Sequence, residues 1–528
     1  MISHSIPLLL CLLFLPHFIS HATTLPSPDS LLQCLHNHSI PPSLIFTPKS
    51  SNFTPTLLSS AQNPRIIFDN HSPKPFLVIT PTQASHVQAA VICSKNLNFQ
   101  LRTRSGGHDY EGLSYFSTFG PFLILDLFNL RSISFNVDNT VWVQSGATLG
   151  ELYFSIASKN RTLAFPAGFC PTVGVGGHIA GGGIGTIMRK HGIAADHVVD
   201  IHMVNANGEI LDRESMGEDL FWALRGGGAA SFGVILAYKI KLVQVPPNVT
   251  VLSKTLTLPQ GATKAMAKWQ QVAYKADNRL YISALLSTVG GTAEVIFSGL
   301  FLGEMPELLL IMEQSLPELQ VAGSDCKEMS WIESQIVFSS FPAPNINNDL
   351  PLSFLLDRSP RALNLSFKVK SDIVREPIVK QSWEKIWKYA LKGDELLLIL
   401  IEPLGGKVAE IAETETPFPH RNGSKFVMQH IVGWIGEGRK EAKKHIDWFR
   451  GFYKFMAPFV SENPRAAYLN FRDLDLGKNT EGVVSYDKAQ VWGKKYYNVN
   501  FKRLAYVKSK TDPDNFFKNE QSIPPLFY

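Results

Sequence analysis

The sequence predicts an α+β protein with two differently built parts. Residues 76–101 have the pattern of a short β-strand, an amphipathic helix and a second strand, which is a βαβ rhythm. From about residue 250, strand-like runs alternate with helical stretches, a pattern typical of an antiparallel sheet with helices on one face. A chain of 528 residues is long enough for two or three domains.

The individual elements follow in chain order. In the first part, strand-like runs are separated by glycine-rich turns, and these runs are 121–127, 141–145, 198–204 and 233–243. In the second part, the clearest candidates are strands 250–257 and 293–301 and helices 262–277 and 376–393. From about residue 464 the chain returns to short motifs rich in aromatic residues and asparagine.

The composition excludes two broad classes of protein. With 45% hydrophobic and 18% charged residues, the chain is predicted to be ordered over most of its length. The 50 Lys and Arg residues exceed the 45 Asp and Glu residues only slightly, and they form no long basic runs. Nucleic-acid binding is therefore not expected.

The N-terminus predicts secretion. Residues 6–19 are almost wholly apolar and are followed by small residues, so we interpret residues 1–22 as a signal peptide. The apolar run is shorter than the roughly 20 residues of a membrane span, which is not expected here. The predicted location is the extracellular space, including the apoplast, or the vacuole. Glycosylation is predicted at seven N-x-[ST] sequons, which begin at Asn37, Asn52, Asn70, Asn160, Asn248, Asn364 and Asn422.

Four cysteines remain after removal of the signal peptide: Cys34, Cys93, Cys170 and Cys326. Three disulfide pairings are possible, and the oxidising compartment favours at least one. No Cys or His cluster has zinc-site spacing, so no metal is expected. Cys170 lies among glycines, where backbone can approach a ligand closely. From the residues alone, Cys170 is explained equally well as a disulfide cysteine or buried thiol and as a residue that contacts a ligand.

Two glycine-rich segments, 104–112 and 168–185, carry the strongest functional signal. Successive backbone N–H groups in such segments can form a concavity that binds an anion such as a pyrophosphate. This pattern favours a nucleotide-type cofactor. Neither segment fits the Rossmann fingerprint or the P-loop, which disfavours an NAD-type or nucleoside triphosphate site. The alternative, that both segments are only turns, does not account for so many glycines.

Four motifs of this sequence resemble those of the plant berberine bridge enzyme-like flavoproteins, of the vanillyl-alcohol-oxidase class. The motifs are RSGGHDYEG, FCPTVGVGGHIAGGGIG, DLFWALRGGGAASFGVI and WGKKYYNVNFKRL, the last followed by DPDNFFKNEQSIPPL. The resemblance implies an FAD-binding domain in two pieces, 23–248 and 464–528, with a core of the PCMH type at about 72–248. It also implies a substrate-binding domain at 249–463, built on an antiparallel sheet covered by helices.

The same resemblance implies that FAD is attached twice, through His108 and Cys170, and that Cys34 pairs with Cys93. A neutral imidazole and a thiolate are suitable nucleophiles for an electrophilic flavin ring. Cys326 is then left outside the disulfide. The resemblance and the glycine pattern together predict these cofactor-binding residues: His108, Cys170, Arg104, Ser105, Gly106, Gly107, Asp109, Val173, Gly174, Gly176, Gly177, His178, Gly181, Gly182, Gly183, Gly233, Val234 and Asn500.

The catalytic positions fit the family less well. Gln429 stands where relatives carry a carboxylate or a glutamine, and Phe471 stands where they carry Tyr or His; neither side chain can take a proton near neutral pH. His191 titrates in the right range and is the predicted base, with Tyr110 and Tyr468 as polar partners and Gln429 as a fourth catalytic-site residue. The alternative is that His191 only shapes the pocket. A further departure is Ile184, where relatives carry an aromatic residue.

We expect a secreted, monomeric oxidase of a plant metabolite, phenolic, alkaloid or sugar. The substrate would lose a hydride to the flavin, and dioxygen would then accept the electrons to give hydrogen peroxide. By resemblance, Val173 corresponds to the residue type that admits dioxygen. Two alternatives stay open. The chain could hold FAD structurally in a redox-neutral cyclase or pericyclase, because orienting reactants needs no base, or it could be an inactive secreted glycoprotein.

Overall fold

The computed structural model describes residues 27–526, except 68–72, 289–290, 341–343, 361–364, 394, 437 and 481–483. The predicted signal peptide at 1–22 and the sequons at Asn70 and Asn364 lie outside the described residues. Among the helices of the described ranges, none combines the length and the apolar character needed to cross a membrane.

The elements confirm the predicted mixture of helices and strands. The helices are α1 Pro28–Asn37, α2 Phe53–Leu58, α3 Pro64–Ile67, α4 Ala84–Asn96, α5 Leu149–Lys159, α6 Val175–Ala180, α7 Met188–His191, α8 Arg213–Leu224, α9 Ala262–Val272, α10 Met305–Ser315, α11 Trp331–Phe338, α12 Lys380–Ala390, α13 Lys407–Glu410, α14 Arg439–Met456, α15 Tyr486–Tyr497 and α16 Asn500–Thr511. The strands are β1 Ile45–Phe46, β2 Val78–Ile79, β3 Gln100–Arg104, β4 Phe122–Asp126, β5 Ile133–Phe135, β6 Thr140–Gln144, β7 Leu163–Ala164, β8 Val198–Val204, β9 Ile210–Leu211, β10 Val234–Lys241, β11 Val243–Gln244, β12 Val249–Thr257, β13 Leu280–Ser287, β14 Glu294–Phe301, β15 Cys326–Met329, β16 Ser366–Val374, β17 Leu396–Pro403 and β18 Phe426–Trp434.

The first part of the chain forms two main sheets. One has the order β1-β2-β4-β3, and β2, β4 and β3 are parallel, as the βαβ rhythm requires. Helix α4 connects β2 to β3 and buries Val87, Ala90 and Val91 in this core. The second sheet is antiparallel, with the order β5-β6-β10-β8-β9. A two-stranded sheet joins β11 to β7.

The second part is a seven-stranded antiparallel sheet with the order β15-β12-β14-β13-β17-β18-β16. Its strands bury alternate side chains on opposite faces. One face packs against helices α9, α10, α12 and α14, where Trp269, Met312, Trp383 and Phe452 are buried. The other face turns side chains such as Glu402 and Gln429 toward the glycine-rich segments. This arrangement agrees with the predicted substrate unit, although the domain boundaries at 248 and 463 stay predictions.

The C-terminal segment packs back onto the first part of the chain. Lys508 on α16 donates to the backbone carbonyl of Ser231 at 2.6 Å, and Arg102 on β3 forms a buried ion pair with Glu520 at 3.0 Å. The disulfide between Cys34 and Cys93 ties α1 to α4. The cluster of potential metal ligands found in the described ranges contains these same two sulfurs, which are bonded to each other.

A buried charge network joins the three parts of the chain. Lys368 on β16 contacts Glu111 from the first part and Asp473 from the C-terminal segment, the latter at 2.7 Å. Lys370 also binds Asp473, at 2.8 Å, and Arg65 binds Glu111 at 2.9 Å. Because each buried charge meets an opposite one, the network holds the parts together without leaving a charge uncompensated.

The described sequons all present an exposed asparagine: Asn37, Asn52, Asn160, Asn248 and Asn422. Exposure is necessary for a glycan, because the sugar is bulky and hydrated. Glycosylation at these positions stays a prediction.

Candidate active site

A cavity of about 330 Å³ lies between the two glycine-rich segments, the open face of the seven-stranded sheet and the C-terminal segment. Its walls come from all three parts of the chain: Ser105 and Cys170 from the first, Glu402 and Gln429 from the second, and Phe471 from the third. The elements far apart in sequence therefore converge on one space.

The two glycine-rich segments approach each other so closely that no side chain fits at Gly106 or Gly174. A Cβ atom on Gly106 would lie 2.2 Å from the amide nitrogen of Gly174, and one on Gly174 would lie 2.0 Å from the Oγ of Ser105. Gly107 has a φ of +70°, a conformation that other residues rarely adopt. Side chains at these positions would force the segments apart, so glycine is required here for close approach.

His108 and Cys170 both line this cavity, one from each glycine-rich segment. The imidazole Nε2 of His108 is hydrogen-bonded to the hydroxyl of Thr172 at 3.0 Å. Burial lowers the pKa of His108 to about 4, so the ring is neutral at neutral pH and keeps a nucleophilic nitrogen. Cys170 is exposed to the cavity, which an attacking thiolate requires.

Most of the predicted cofactor-binding residues line the cavity with these two. They are Ser105, Gly106, Gly107, Asp109, Val173, Gly174, Gly176, Gly177, His178, Gly181 and Gly233. His178 also fixes the loop, because its Nε2 accepts a hydrogen bond from the backbone N–H of Gly168 at 3.0 Å.

The other five predicted cofactor residues lie away from the lining, and their contact with a cofactor stays a prediction. Arg104 is buried in an ion pair with Asp126 at 2.7 Å. The amide of Asn500 donates to the backbone carbonyl of Glu413 at 2.7 Å. Gly182 and Gly183 pack closely against neighbouring side chains, and the backbone N–H of Gly183 donates to the Tyr468 hydroxyl. Val234 is buried in the hydrophobic core.

The lining fits FAD on chemical grounds. Four polar atoms of the lining residues are buried without a hydrogen-bond partner among the described residues: Arg102 Nε, Ser114 Oγ, Ser145 Oγ and Arg472 Nη1. Such atoms are costly unless a ligand satisfies them. Beside them, a Cβ atom on Gly177 would meet nothing within 4 Å, so the start of α6 opens directly into the cavity. Hydrogen-bond donors, a guanidinium and open glycine backbone suit a polar dinucleotide with a pyrophosphate.

On the sheet side, the structure brings together three of the four predicted catalytic-site residues. The amide Nε2 of Gln429 on β18 donates to the hydroxyl of Tyr110 at 2.8 Å. The Tyr468 hydroxyl accepts from the backbone N–H of Gly183 at 3.0 Å and from Asn470 at 2.9 Å. Burial raises the pKa of both Tyr110 and Tyr468 above its ordinary value, so both hydroxyls stay protonated at neutral pH.

His191 does not join this group. It ends α7, which packs against α13, and it is absent from the cavity wall. Its Nε2 is buried and has no hydrogen-bond partner in the described part of the chain, and burial lowers its pKa to about 4. Ile184, near the end of the second glycine-rich segment, lies at the wall instead. The placement therefore gives no support to His191 as the base, since a base must reach the proton it removes.

One carboxylate of this wall is not among the residues predicted from the sequence. Glu402, near the end of β17, lines the cavity and is only 4% exposed. Its Oε1 accepts a hydrogen bond from the hydroxyl of Tyr281 on β13 at 2.9 Å. The available signal was a single acidic residue at the end of the apolar run 396–401 (LLLILI), where a buried strand has no structural need for a charge.

Comparison with known proteins agrees with this geometry. Two family models match the chain, one described as an FAD binding domain at residues 75–213 and one as berberine and berberine like at residues 467–524. Berberine bridge enzyme-like 23 of Arabidopsis thaliana is 48% identical, over 98% of this chain and 98% of that protein. This chain belongs to the berberine bridge enzyme-like family. It is an FAD-dependent oxidoreductase.

Two further relatives of this berberine bridge enzyme-like chain have stated activities. Tetrahydroberberine oxidase of Berberis wilsoniae is 49% identical, over 96% of each chain. Among solved structures, Phl p 4, a grass pollen allergen with glucose dehydrogenase activity, superposes with a TM-score of 0.89. That alignment covers 94% of this chain and all of the allergen at 41% identity. The family thus includes proteins that act on chemically different small molecules.

Proposed function

We propose that this protein is a secreted oxidase of a plant specialised metabolite, phenolic, alkaloid or sugar, with dioxygen as the final electron acceptor. The observation that carries the proposal is the convergence of His108, Cys170 and the Tyr110–Gln429 pair on one cavity. Tetrahydroberberine oxidase and a glucose dehydrogenase among the relatives set the range of substrates.

FAD is held by two covalent bonds, through His108 and Cys170. The neutral imidazole and the accessible thiol supply the two nucleophiles, and they come from segments that already touch through Gly106 and Gly174. When bound, FAD supplies acceptance of a hydride and transfer of its two electrons to dioxygen.

The protein side chains provide binding and orientation. The Gln429 amide holds the Tyr110 hydroxyl at 2.8 Å, which leaves the phenol as a fixed, protonated hydrogen-bonding group for substrate. Val173, three residues after Cys170, lines the cavity and leaves room for dioxygen because its side chain is short. A longer side chain at Val173 would slow reoxidation without changing substrate binding.

Secretion to the extracellular space or the vacuole is supported by three observations. These are the apolar N-terminal run at 6–19, the disulfide between Cys34 and Cys93, and five exposed sequon asparagines. A disulfide of this kind persists in oxidising compartments. The protein acts there as a monomer.

The covalent bonds are tested by acid precipitation of the purified protein. Wild type is expected to retain its yellow flavin in the pellet, and Cys170→Ala is expected to retain it through His108 alone. The double variant His108→Ala with Cys170→Ala is expected to release all flavin. Cys326→Ala is the matched control, because Cys326 is buried elsewhere in β15. Wild-type flavin recovered wholly in the supernatant would overturn bicovalent attachment.

The reaction is tested with a panel of phenolic, alkaloid and sugar substrates scored for hydrogen peroxide and for redox-neutral products. An oxidase releases peroxide in proportion to oxidised product. Fast flavin reduction with reoxidation by quinones alone would indicate a dehydrogenase. Isomerised or cyclised product without peroxide would indicate the redox-neutral cyclase.

A further inference from the structure

Three of the helices that cover the seven-stranded sheet carry an uneven share of the charge. Helices α9, α12 and α14 contain 11 lysine and arginine residues but only 3 aspartate and glutamate residues, a formal net charge of +8. The whole chain has a formal net charge of +5, so the rest of the chain is net acidic. Helix α10, which packs beside β12 and β15, carries Glu307 and Glu313 and no basic residue. The positive charge is therefore concentrated on one part of the surface.

The three basic helices lie side by side, so their charges share one surface. The indole Nε1 of Trp387 on α12 donates to the hydroxyl of Thr263 on α9 at 2.9 Å. The ring of Tyr389 on α12 stacks on the ring of Phe455 on α14, with the ring centroids 4.7 Å apart. We call the outer side of these helices the basic face. It is defined by six exposed or half-buried lysines of the three helices and the end of α12: Lys264, Lys385, Lys388, Lys392, Lys440 and Lys454.

The six lysines have no counter-charge in the described part of the protein. None of them forms an ion pair there, whereas the neighbouring Lys380 lies 3.9 Å from Glu384 and Lys443 pairs with Asp447. Side chains three and four residues apart lie on the same side of a helix, so several of these charges follow one another along α12. Like charges on one surface raise its positive potential, which attracts a polyanion.

The predicted glycans leave the basic face open. No asparagine, and hence no N-x-[ST] sequon, lies within α9, α12 or α14. Among the described sequons, Asn37 ends α1, Asn160 follows α5 and Asn248 precedes β12. Because a glycan is bulky and covers the surface around it, the lack of sequons keeps these helices accessible to a large partner.

The composition of the basic face favours one class of polyanion. In the described parts of the three helices, every exposed residue is polar or charged. The exposed apolar side chains nearby, Val379, Leu391 and Ile435, stand at the two ends of α12 and ahead of α14 rather than among the lysines. A helix that lies on a membrane inserts large apolar side chains, so a lipid surface is disfavoured. Lysine is a compact hydrated charge, which suits carboxylates spread along a polymer, whereas the planar fork of arginine suits phosphates.

We propose that the basic face docks the protein onto an acidic polysaccharide, a polymer of uronic acid units whose carboxylates repeat along its length. The polymer stays outside the cavity: Met428 on β18 packs beneath the helices, whereas the next residue, Gln429, lines the cavity on the other side of the sheet. Docking therefore holds the protein at an extracellular matrix and leaves the cavity free. This inference rests on the proposed secretion and is independent of the proposed oxidation.

The test measures retention of the flavin-loaded protein on immobilised polygalacturonate by biolayer interferometry. Ionic strengths of about 0.02 M and about 0.15 M are compared, because salt screens contacts between exposed charges. The fully methyl-esterified polymer has the same backbone without the charge. Vesicles that contain phosphatidylserine supply the alternative anionic surface. The flavin spectrum is recorded with and without each probe.

Two triple variants with the same net charge are compared. The test variant loses three lysines of the basic face, through Lys385→Gln, Lys388→Gln and Lys440→Gln. The control variant loses three exposed lysines of the first part of the chain, none of them in the cavity wall, through Lys49→Gln, Lys159→Gln and Lys241→Gln. All six positions are exposed, so both variants are expected to fold and to keep their full flavin content.

Wild type is expected to bind polygalacturonate at low salt and to bind the esterified polymer at neither salt concentration. The test variant should bind polygalacturonate about 10-fold or more weakly than wild type, and its affinity should depend less steeply on salt because fewer charges take part. The control variant should stay within about threefold of wild type. The flavin spectrum should not change when the polymer binds.

Equal loss of binding in the two variants, or equal retention on the esterified polymer, would overturn the inference. Tighter binding to the vesicles than to polygalacturonate would reassign the surface to lipid. Binding that is the same in all three proteins and perturbs the flavin spectrum would place the polymer in the cavity instead.

The docking surface and the proposed function can fail separately. Retention through the basic face without peroxide from any substrate of the panel leaves the docking surface standing and rejects the oxidase. Peroxide without retention does the reverse. Localisation of the tagged full-length protein in plant tissue tests secretion by itself, and a protein kept inside the cell would remove the extracellular role of the surface.

Discussion

Two buried glutamates, one in the charge network between the chain segments and one in the cavity, respond to burial in opposite ways. Glu111 is held by Lys368 and by Arg65. Although burial alone would raise its pKa, these two cations lower the pKa of Glu111 to about 2. Glu402 has no cation beside it in the described structure, and burial raises its pKa to about 7.

The two glutamates therefore differ in role: the charge of Glu111 is structural, whereas Glu402 is a candidate functional group. Glu111 is ionised at every physiological pH and contributes binding between the chain segments. Glu402 is kept close to its point of titration, because it is buried and no lysine or arginine of the described ranges pairs with it. A buried carboxylate in a cavity whose pKa is raised because no cation pairs with it is a candidate functional residue. A buried carboxylate that cations hold ionised between chain segments is a structural residue.

The largest expected effect is a loss of stability when the buried charge network between the chain segments is weakened at Glu111. Glu111→Gln leaves Lys368 with one carboxylate fewer in a buried position, so we expect the free energy of unfolding at pH 7 to fall by about 3–5 kcal/mol. Urea denaturation followed by circular dichroism measures this. Asp514→Asn is the control, because its pair with Lys95 is exposed and should cost less than about 1 kcal/mol. Equal losses in both variants would contradict the network's role.

The next expected effect is a gain in relative stability for Glu402→Gln, opposite in sign to the loss expected for Glu111→Gln. The pKa of Glu402 is raised on folding, so its contribution to stability is fully present below about 4.5, its unfolded value, and is lost as pH rises through about 7. Between about pH 4 and pH 8, we expect the stability of Glu402→Gln relative to wild type to improve by about 3 kcal/mol. Denaturation curves of both proteins at each pH measure the difference. A difference independent of pH would contradict the raised pKa.

A smaller effect is expected at Tyr281. Tyr281→Phe removes the one hydrogen bond that lowers the pKa of Glu402, so that pKa should rise further, by roughly half a unit to one unit. The midpoint of the pH-dependent stability difference between Glu402 and Glu402→Gln, measured again in the Tyr281→Phe background, reports the shift. Tyr238→Phe serves as control, because its buried hydroxyl lies outside the cavity wall. A midpoint that moves downward would show that Tyr281 does not bind the ionised form.

The smallest effect is expected at His191, which belongs to neither region. His191→Asn should leave the rate of flavin reduction by substrate within about twofold of wild type at each pH, since its side chain does not reach the cavity wall. Stopped-flow absorbance measures the rate. A loss of about 100-fold or more would restore His191 as the base.

Much of the fold was predictable because its signals are local. The strand predicted at 198–204 is β8, and those at 250–257 and 293–301 correspond to β12 and β14 within one residue. The order of the seven-stranded sheet was not predictable, because neighbours such as β16 and β18 are joined by contacts between distant residues. Sheet pairing is set by packing over the whole chain, which periodicity does not encode.

The candidate site also has one half that was predictable from sequence and one half that was not. The glycine-rich half was predictable because Gly106 and Gly174 must be glycine for backbone to meet backbone. The sheet half was not, because Glu402 stands alone in an apolar run and its partner Tyr281 is on another strand. His191 was selected for its intrinsic pKa, a property of the residue type, while its position depends on how α7 packs. The chemical properties of a side chain can therefore be predicted from sequence more easily than the direction in which it points.

The three-part origin of the cavity sets the order of events during synthesis. Its wall is drawn from residues between Leu101 and Gln521. Until the segment 468–521 has been synthesised, the cavity lacks its C-terminal wall, and Lys368 lacks Asp473. A polypeptide that stops before Tyr468 is therefore expected to be colourless as well as short, because it cannot enclose the flavin.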